Sequence, residues 1–238
     1  MKLIAHIIKG NVGPVVFLFA FVSIARFVEW CALGPEMFYG ADFYEAYSLF
    51  NTTSFTAFVL CPIYLVLLQK LYLPAFDCLI VVRHGTRLRL MCSACGLILS
   101  SSLLFSVEVD IPSVLGLALI GVPSFDMLYV FLSVIAHAVF FFACALVFLS
   151  VKLLNTPQFF AYLAVLLLGI WDFMAAGVPG GGVPCFAWSR TFLPFSLDPL
   201  GVVIQLVPLF VLTACAAVSL LFSIQSADFV LTGSSDII

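Results

Sequence analysis

The stretch Asp77-Cys-Leu-Ile-Val-Val-Arg-His-Gly-Thr-Arg-Leu-Arg-Leu90 holds Arg83, Arg87 and Arg89, three of the nine Lys and Arg residues in the chain. Long apolar runs lie on both sides of it. Basic residues beside membrane segments stay on the cytoplasmic side, so this corner orients the whole molecule and offers a soluble partner a short charged surface. Gly85 and Thr86 suit a tight corner between two helices: glycine tolerates the left-handed position after a helix end, and threonine caps the helix that follows.

The composition makes lipid the solvent for the rest. A chain of 238 residues that is 64% hydrophobic and 9% charged, with 26 Phe and a mean hydropathy of +1.26, cannot hide its apolar surface in one core. Backbone groups in a bilayer must be bonded internally, and the apolar runs do not alternate as barrel strands do, so the fold class expected is all-α and polytopic. The chain has no extended basic face for nucleic acid. Of the eight cysteines, Cys61, Cys92, Cys95, Cys144 and Cys215 sit in apolar runs as small packing residues, while Cys31 and Cys185 lie where a pairing is open. The apolar run after Lys2 and Lys9 is too long for a cleavable signal core.

Taken in order, residues 1–10 place Leu3, Ile4, Ile7 and Ile8 on one helical face and Lys2, His6 and Lys9 on the other, the pattern of an interfacial helix. Gly10, Asn11, Gly13 and Pro14 are expected to end it. Six spans follow at about 15–33, 53–68, 90–107, 127–151, 159–176 and 200–224, with a kink at Pro62 in the second. Residues 34–52 are expected as an acidic, aromatic outer segment lying against the headgroups, and Leu71–Val82 as a short interfacial helix interrupted by Pro74 and Asp77. Glu108, Asp110 and Asp126 bracket the run Val114–Val122, whose ends are set by Pro112 and Pro123. That run is too short to cross and is expected as a separate outer interfacial or re-entrant piece. Lys2, Lys9, Lys70, Arg83, Arg87, Arg89 and Lys152 then fall inside and only Arg190 outside, with Arg26 in a span. That bias puts both ends in the cytoplasm. Nothing divides the chain, so it reads as one domain.

The interfacial helix, the six spans, the inner corner Val82-Arg83-His84-Gly85-Thr86-Arg87 and the broken segment between spans five and six together resemble a small ABC-2-type permease. The corner is similar to the "Arg, aromatic, Gly, Ser or Thr, Arg" motif of exporter permeases in peptide-antibiotic and bacteriocin resistance, with His84 at the aromatic position. The resemblance implies a bacterial plasma-membrane subunit that pairs with an identical or related permease. It also implies ATPase subunits docked through Asp77, Leu79, Ile80, Arg83, His84, Gly85, Thr86, Arg87 and Arg89. No Gly-x-x-x-x-Gly-Lys-Ser/Thr loop occurs in the chain, so ATP and Mg would be bound by the partner; no cofactor and no metal are expected on this chain.

Charges inside spans are costly and point to function. Arg26 and Glu29, three residues apart, share a face where they can neutralise one another, either as part of a substrate path or subunit contact or as an intrahelical pair near the outer interface. Asp172 needs a partner such as Arg190 or another polar neighbour, unless it faces water. His137 is expected to be hydrogen-bonded across a helix pair, since haem or metal would need further ligands. Cys92 and Cys95, and the serines at 100, 101, 102 and 106, read as packing positions. Three other readings stay open: the substrate-capture subunit of a vitamin-type importer, a membrane enzyme using Glu29, His137 or Asp172, and a non-catalytic assembly subunit.

Overall fold

The structure is a computed structural model and describes residues 2–34, 36, 40–52, 55–72, 87–121, 126–154, 156–177 and 199–226. Among these residues every regular element is a helix: α1 (Lys2–Leu33), α2 (Phe43–Phe50), α3 (Cys61–Tyr72, entered through a π turn over Thr56–Leu60), α4 (Arg87–Ile120), α5 (Met127–Leu153), α6 (Gln158–Gly177) and α7 (Pro199–Ser226). Four of them, within α4, α5, α6 and α7, are long and apolar enough to cross a membrane. With large apolar side chains such as Phe17, Leu119 and Phe222 standing at 68%, 82% and 66% exposure, the chain is a multi-pass membrane protein: these faces need lipid around them.

α5 is the hub. Buried residues make up 61% of its membrane-length window, against 33% or less for the other three, and it packs against α3, α4, α6 and α7. Its Ala143, Cys144, Ala145, Leu146, Phe148 and Leu149 are fully buried. The small residues among them let neighbouring helices approach closely, which is how bundles pack where lipid supplies no hydrophobic drive.

Two expectations drawn from proline are corrected. Pro14 does not end an interfacial helix at residue 10, because α1 is continuous from Lys2 to Leu33. Nor does Pro112 isolate the run that follows it, for the proline lies inside α4 and residues 114–120 continue the same helix. At 1.5 Å per residue the 34 residues of α4 extend about 51 Å, well past a hydrocarbon layer of ~30 Å. A proline removes one backbone bond, but with little water to compete for the rest the helix carries through it. Pro62 is different. The N–H of Cys61 bonds to the Thr56 carbonyl, so the helix widens to a π turn just before the proline, taking up the mismatch at the expected kink.

The acidic segment is corrected as well. Asp42 caps α2, accepting from the Glu45 N–H at 2.8 Å, and α2 turns Phe43, Ala46 and Tyr47 into a second core with Leu117, Tyr129 and Ala136 instead of resting on headgroups. Tyr129 stands edge-on to Phe43, Tyr44 and Tyr47, with centroids 4.9–6.1 Å away. The pattern Asp-x-x-Glu before an apolar run is a capping signal.

α6 meets the π turn that leads into α3 at Gly169, where an added Cβ would sit 3.2 Å from Cβ of Ala57. Gly169→Leu should therefore force the two segments apart and destabilise the bundle by roughly 1–3 kcal/mol. Thermal unfolding in detergent reads this, with Gly96→Leu, at a position open to space, as the neutral control.

Candidate functional site

Polar groups gather in the bundle where α2 crosses α4 and α5. On α4, Ser102, Ser106, Asp110 and Ser113 are all buried and recur at helical spacing, a polar stripe aimed inward. Ser133 and His137, four apart on α5 and also buried, face it. Tyr47 of α2 donates to Asp110 Oδ1 at 2.7 Å and lies 2.9 Å from Ser133 Oγ. Ser133 Oγ is 3.5 Å from Oδ1, and His137 Nδ1 is 3.0 Å from Oδ2. A carboxylate on a residue with 1% of its surface exposed is thus surrounded by donors from two other helices, which offsets the cost of burying it. Burial first, and the Asp110 charge second, hold the Tyr47 hydroxyl protonated well above the usual phenol range.

A second cluster lies behind α2. Arg26 of α1 is 2% exposed. Its Nη1 pairs with Glu29 Oε2 at 2.8 Å, its Nη2 donates to Asn51 Oδ1 at 2.6 Å, and the guanidinium lies 5.0 Å from the centre of the Phe55 ring. Asn51, the C-cap of α2, donates through Nδ2 to the Tyr47 carbonyl at 3.3 Å. Tyr47 therefore joins the clusters, with its hydroxyl in one and its backbone in the other. Arg26 and Glu29 do form the expected intrahelical pair, and Arg26 also reaches across to the α2–α3 connection.

His137 is hydrogen-bonded across a helix pair, as expected, and the partner is Asp110. Asp110, expected with Glu108 and Asp126 to bracket a separate outer piece, is instead buried in the bundle. The four-residue spacing of Ser102, Ser106 and Asp110 is the signal that it faces inward. Asp172 is fully buried, which corrects the water-facing alternative. The Tyr64 hydroxyl lies 2.7 Å from Ser102 Oγ and 3.2 Å from Ser101 Oγ. Cys92 and Cys31 are exposed and Cys95 is half-buried. Among the described residues no three ligand-type side chains converge on a metal position.

Of the corner residues, Asp77, Leu79, Ile80, Arg83, His84, Gly85 and Thr86 lie outside the described residues, as do Cys185 and Arg190. Arg87 opens α4 and Arg89 is exposed on it. Chemically, the Asp110–His137 pair has the orienting half of a nucleophilic triad. Its serine, however, is engaged at the carboxylate and at Tyr47, whereas such a triad places the nucleophile on the far nitrogen of the imidazole. The arrangement is that of a polar joint between helices. In comparisons with protein-family models, curated proteins and solved structures, the chain matches none.

Tyr47→Phe leaves Asp110 short of its closest donor and should cost about 1–3 kcal/mol, read as lost thermal stability in detergent, while Tyr44→Phe at the half-buried rim should cost less. Asp126 caps α5, accepting from the Leu128 and Tyr129 N–H groups at 3.0 and 3.1 Å and from the Tyr44 hydroxyl at 2.8 Å. The Tyr44 bond, then the two backbone bonds, hold its carboxyl below the usual carboxylate range. A carboxyl lowered by folding stabilises above its unfolded value, and that support is lost as pH falls through the folded one. Acid unfolding should shift toward neutral pH in Tyr44→Phe, and the acid-side slope should shrink in Asp126→Asn, both measured by circular dichroism from about pH 2 to about pH 5.

Proposed function

We propose that this chain is the membrane-spanning permease subunit of an ATP-driven exporter in a bacterial plasma membrane, with six spans and both ends inside. The observation that supports it best is the continuity of α4, which opens at Arg87 in the basic corner and runs unbroken to Ile120, carrying Asp110 between Tyr47 and His137. A rigid rod with a docking corner at one end and a polar joint along its outer half converts a push into a rearrangement of the joint. Closure of docked ATPases, which bind ATP and Mg, would tilt α4. The contacts of Asp110 with α2 and α5 would then exchange, and an identical or related permease would supply the other wall of the path. With many Phe and few charges, such a path suits an amphipathic substrate, an antimicrobial peptide or a lipid.

One observation favours a second reading, a non-catalytic assembly subunit. Arg26, Glu29, His137 and Asp172 are spent on interactions within the bundle, and the cavity described below is lined by none of them. Co-expression with a phosphate-loop ATPase encoded beside the chain separates the two readings. Arg83→Glu with Arg87→Glu should abolish co-purification of the ATPase while leaving the chain in the membrane fraction. Co-purification that survives the double charge reversal, or an ATPase that never associates with the unaltered chain, removes the permease reading.

A further inference from the structure

Between α3 and α6 runs an apolar cleft of about 240 Å³, lined by Ala57, Cys61, Leu65, Tyr162 and Leu166 among others. It is closed at one end where Ala57 meets Gly169. Toward the other end stands a polar triad: Gln158 Nε2 and the Tyr162 hydroxyl both donate to Gln69 Oε1, at 2.6 and 2.7 Å. Gln158 is the first residue of a membrane-length helix, so the triad lies at the edge of the hydrocarbon layer and the cleft runs from it toward the interior. From Ala57 to Gln69 is about 18 Å along the helix axis.

We infer that this cleft is a binding site for one glycerophospholipid of the surrounding membrane. The order of chemistry along it is that of a lipid: a polar recognition point at interface depth, then an apolar channel directed inward. The triad spends the Gln69 carbonyl on its own bonds, and neither bond uses the Gln69 Nε2 donors, which suit the ester carbonyl of the glycerol backbone. The acyl chain below it lies against Leu65 and Leu166. Tyr162 belongs to both parts, lining the cleft while its hydroxyl holds Gln69. The widened π turn before Pro62 lies beside the closed end, where it shapes the wall that a regular helix would present to α6. The site is independent of the permease reading, since it needs only a bilayer around α3 and α6.

The test uses the full chain in phosphatidylcholine vesicles doped with a phosphatidylcholine that carries a photoactivatable diazirine on one acyl chain. After illumination, adducts are mapped by mass spectrometry. Adducts on the Cys61–Leu65 and Phe159–Leu166 peptides should exceed those on the stretch of α7 that carries the exposed Val218 and Phe222 several-fold. Leu166→Trp fills the cleft and should reduce that excess at least fivefold, and Gln69→Leu should reduce it two- to threefold while leaving the α7 adducts unchanged. Equal labelling of the cleft and of α7, or an excess that neither substitution lowers, identifies ordinary solvation by lipid and overturns the site. Should Leu166→Trp fail to fold by circular dichroism, Gln69→Leu, at a polar position on the bundle's edge, decides between the two outcomes by itself.

Discussion

An aspartate sealed among apolar helices has to be surrounded by donors, and Asp110 finds them on other elements. Tyr47 comes from α2, and Ser133 and His137 from α5. Removing a carboxylate from water is costly unless its lone pairs are met, so this one residue dictates how α2, α4 and α5 approach. The short helix α2 has eight residues, too few to persist alone in water. It is held by the Tyr47 hydroxyl, the Asp42 cap and the aromatic contacts with Tyr129. Through Asn51 and Arg26 it then fixes α1 to the same joint. The polar contacts specify which helices meet and in what register, while α5 is the most deeply buried of the four membrane-length helices.

The spans seen as α5, α6 and α7 are legible in the sequence to within about two residues. Each is one apolar run whose end carries its own chemistry: Asp126 as a cap, Thr156 and Pro157 as a turn, and Pro199 at the first position of α7, where a missing N–H costs nothing. The corner is legible as a charge anomaly. What it touches is not, because a basic cluster serves equally as an anchor and as a docking surface.

The misreadings have separate causes. Pro112 carries its full breaking power only in water, where a lost backbone bond is competed for by solvent; at membrane depth the helix closes around it, and α1 likewise runs on through Pro14. Judged by its charge, Asp110 marks the aqueous surface, whereas its spacing from Ser102 and Ser106 places all three on one face. Asp172, set in an apolar run beside the 51% exposed Trp171, has no such pattern around it, and only the folded bundle shows that it turns inward. The α2 helix is hidden by its acidic residues, although Asp42 and Glu45 are its own start signal.

The serines of α4 have a consequence for biogenesis. Ser100, Ser102 and Ser106 each donate to a carbonyl one turn back on their own helix, at 2.7–2.8 Å, so their hydroxyls are quenched before any neighbour arrives. The half of α4 that bears them can leave the translocon as a self-sufficient segment, nearly as oil-like as its leucines. Asp110 has no such recourse within its own helix. That end of the segment therefore has reason to linger at the bilayer edge until α5 emerges behind it, and the order of synthesis, α2 before α4 and α4 before α5, delivers its companions from both sides.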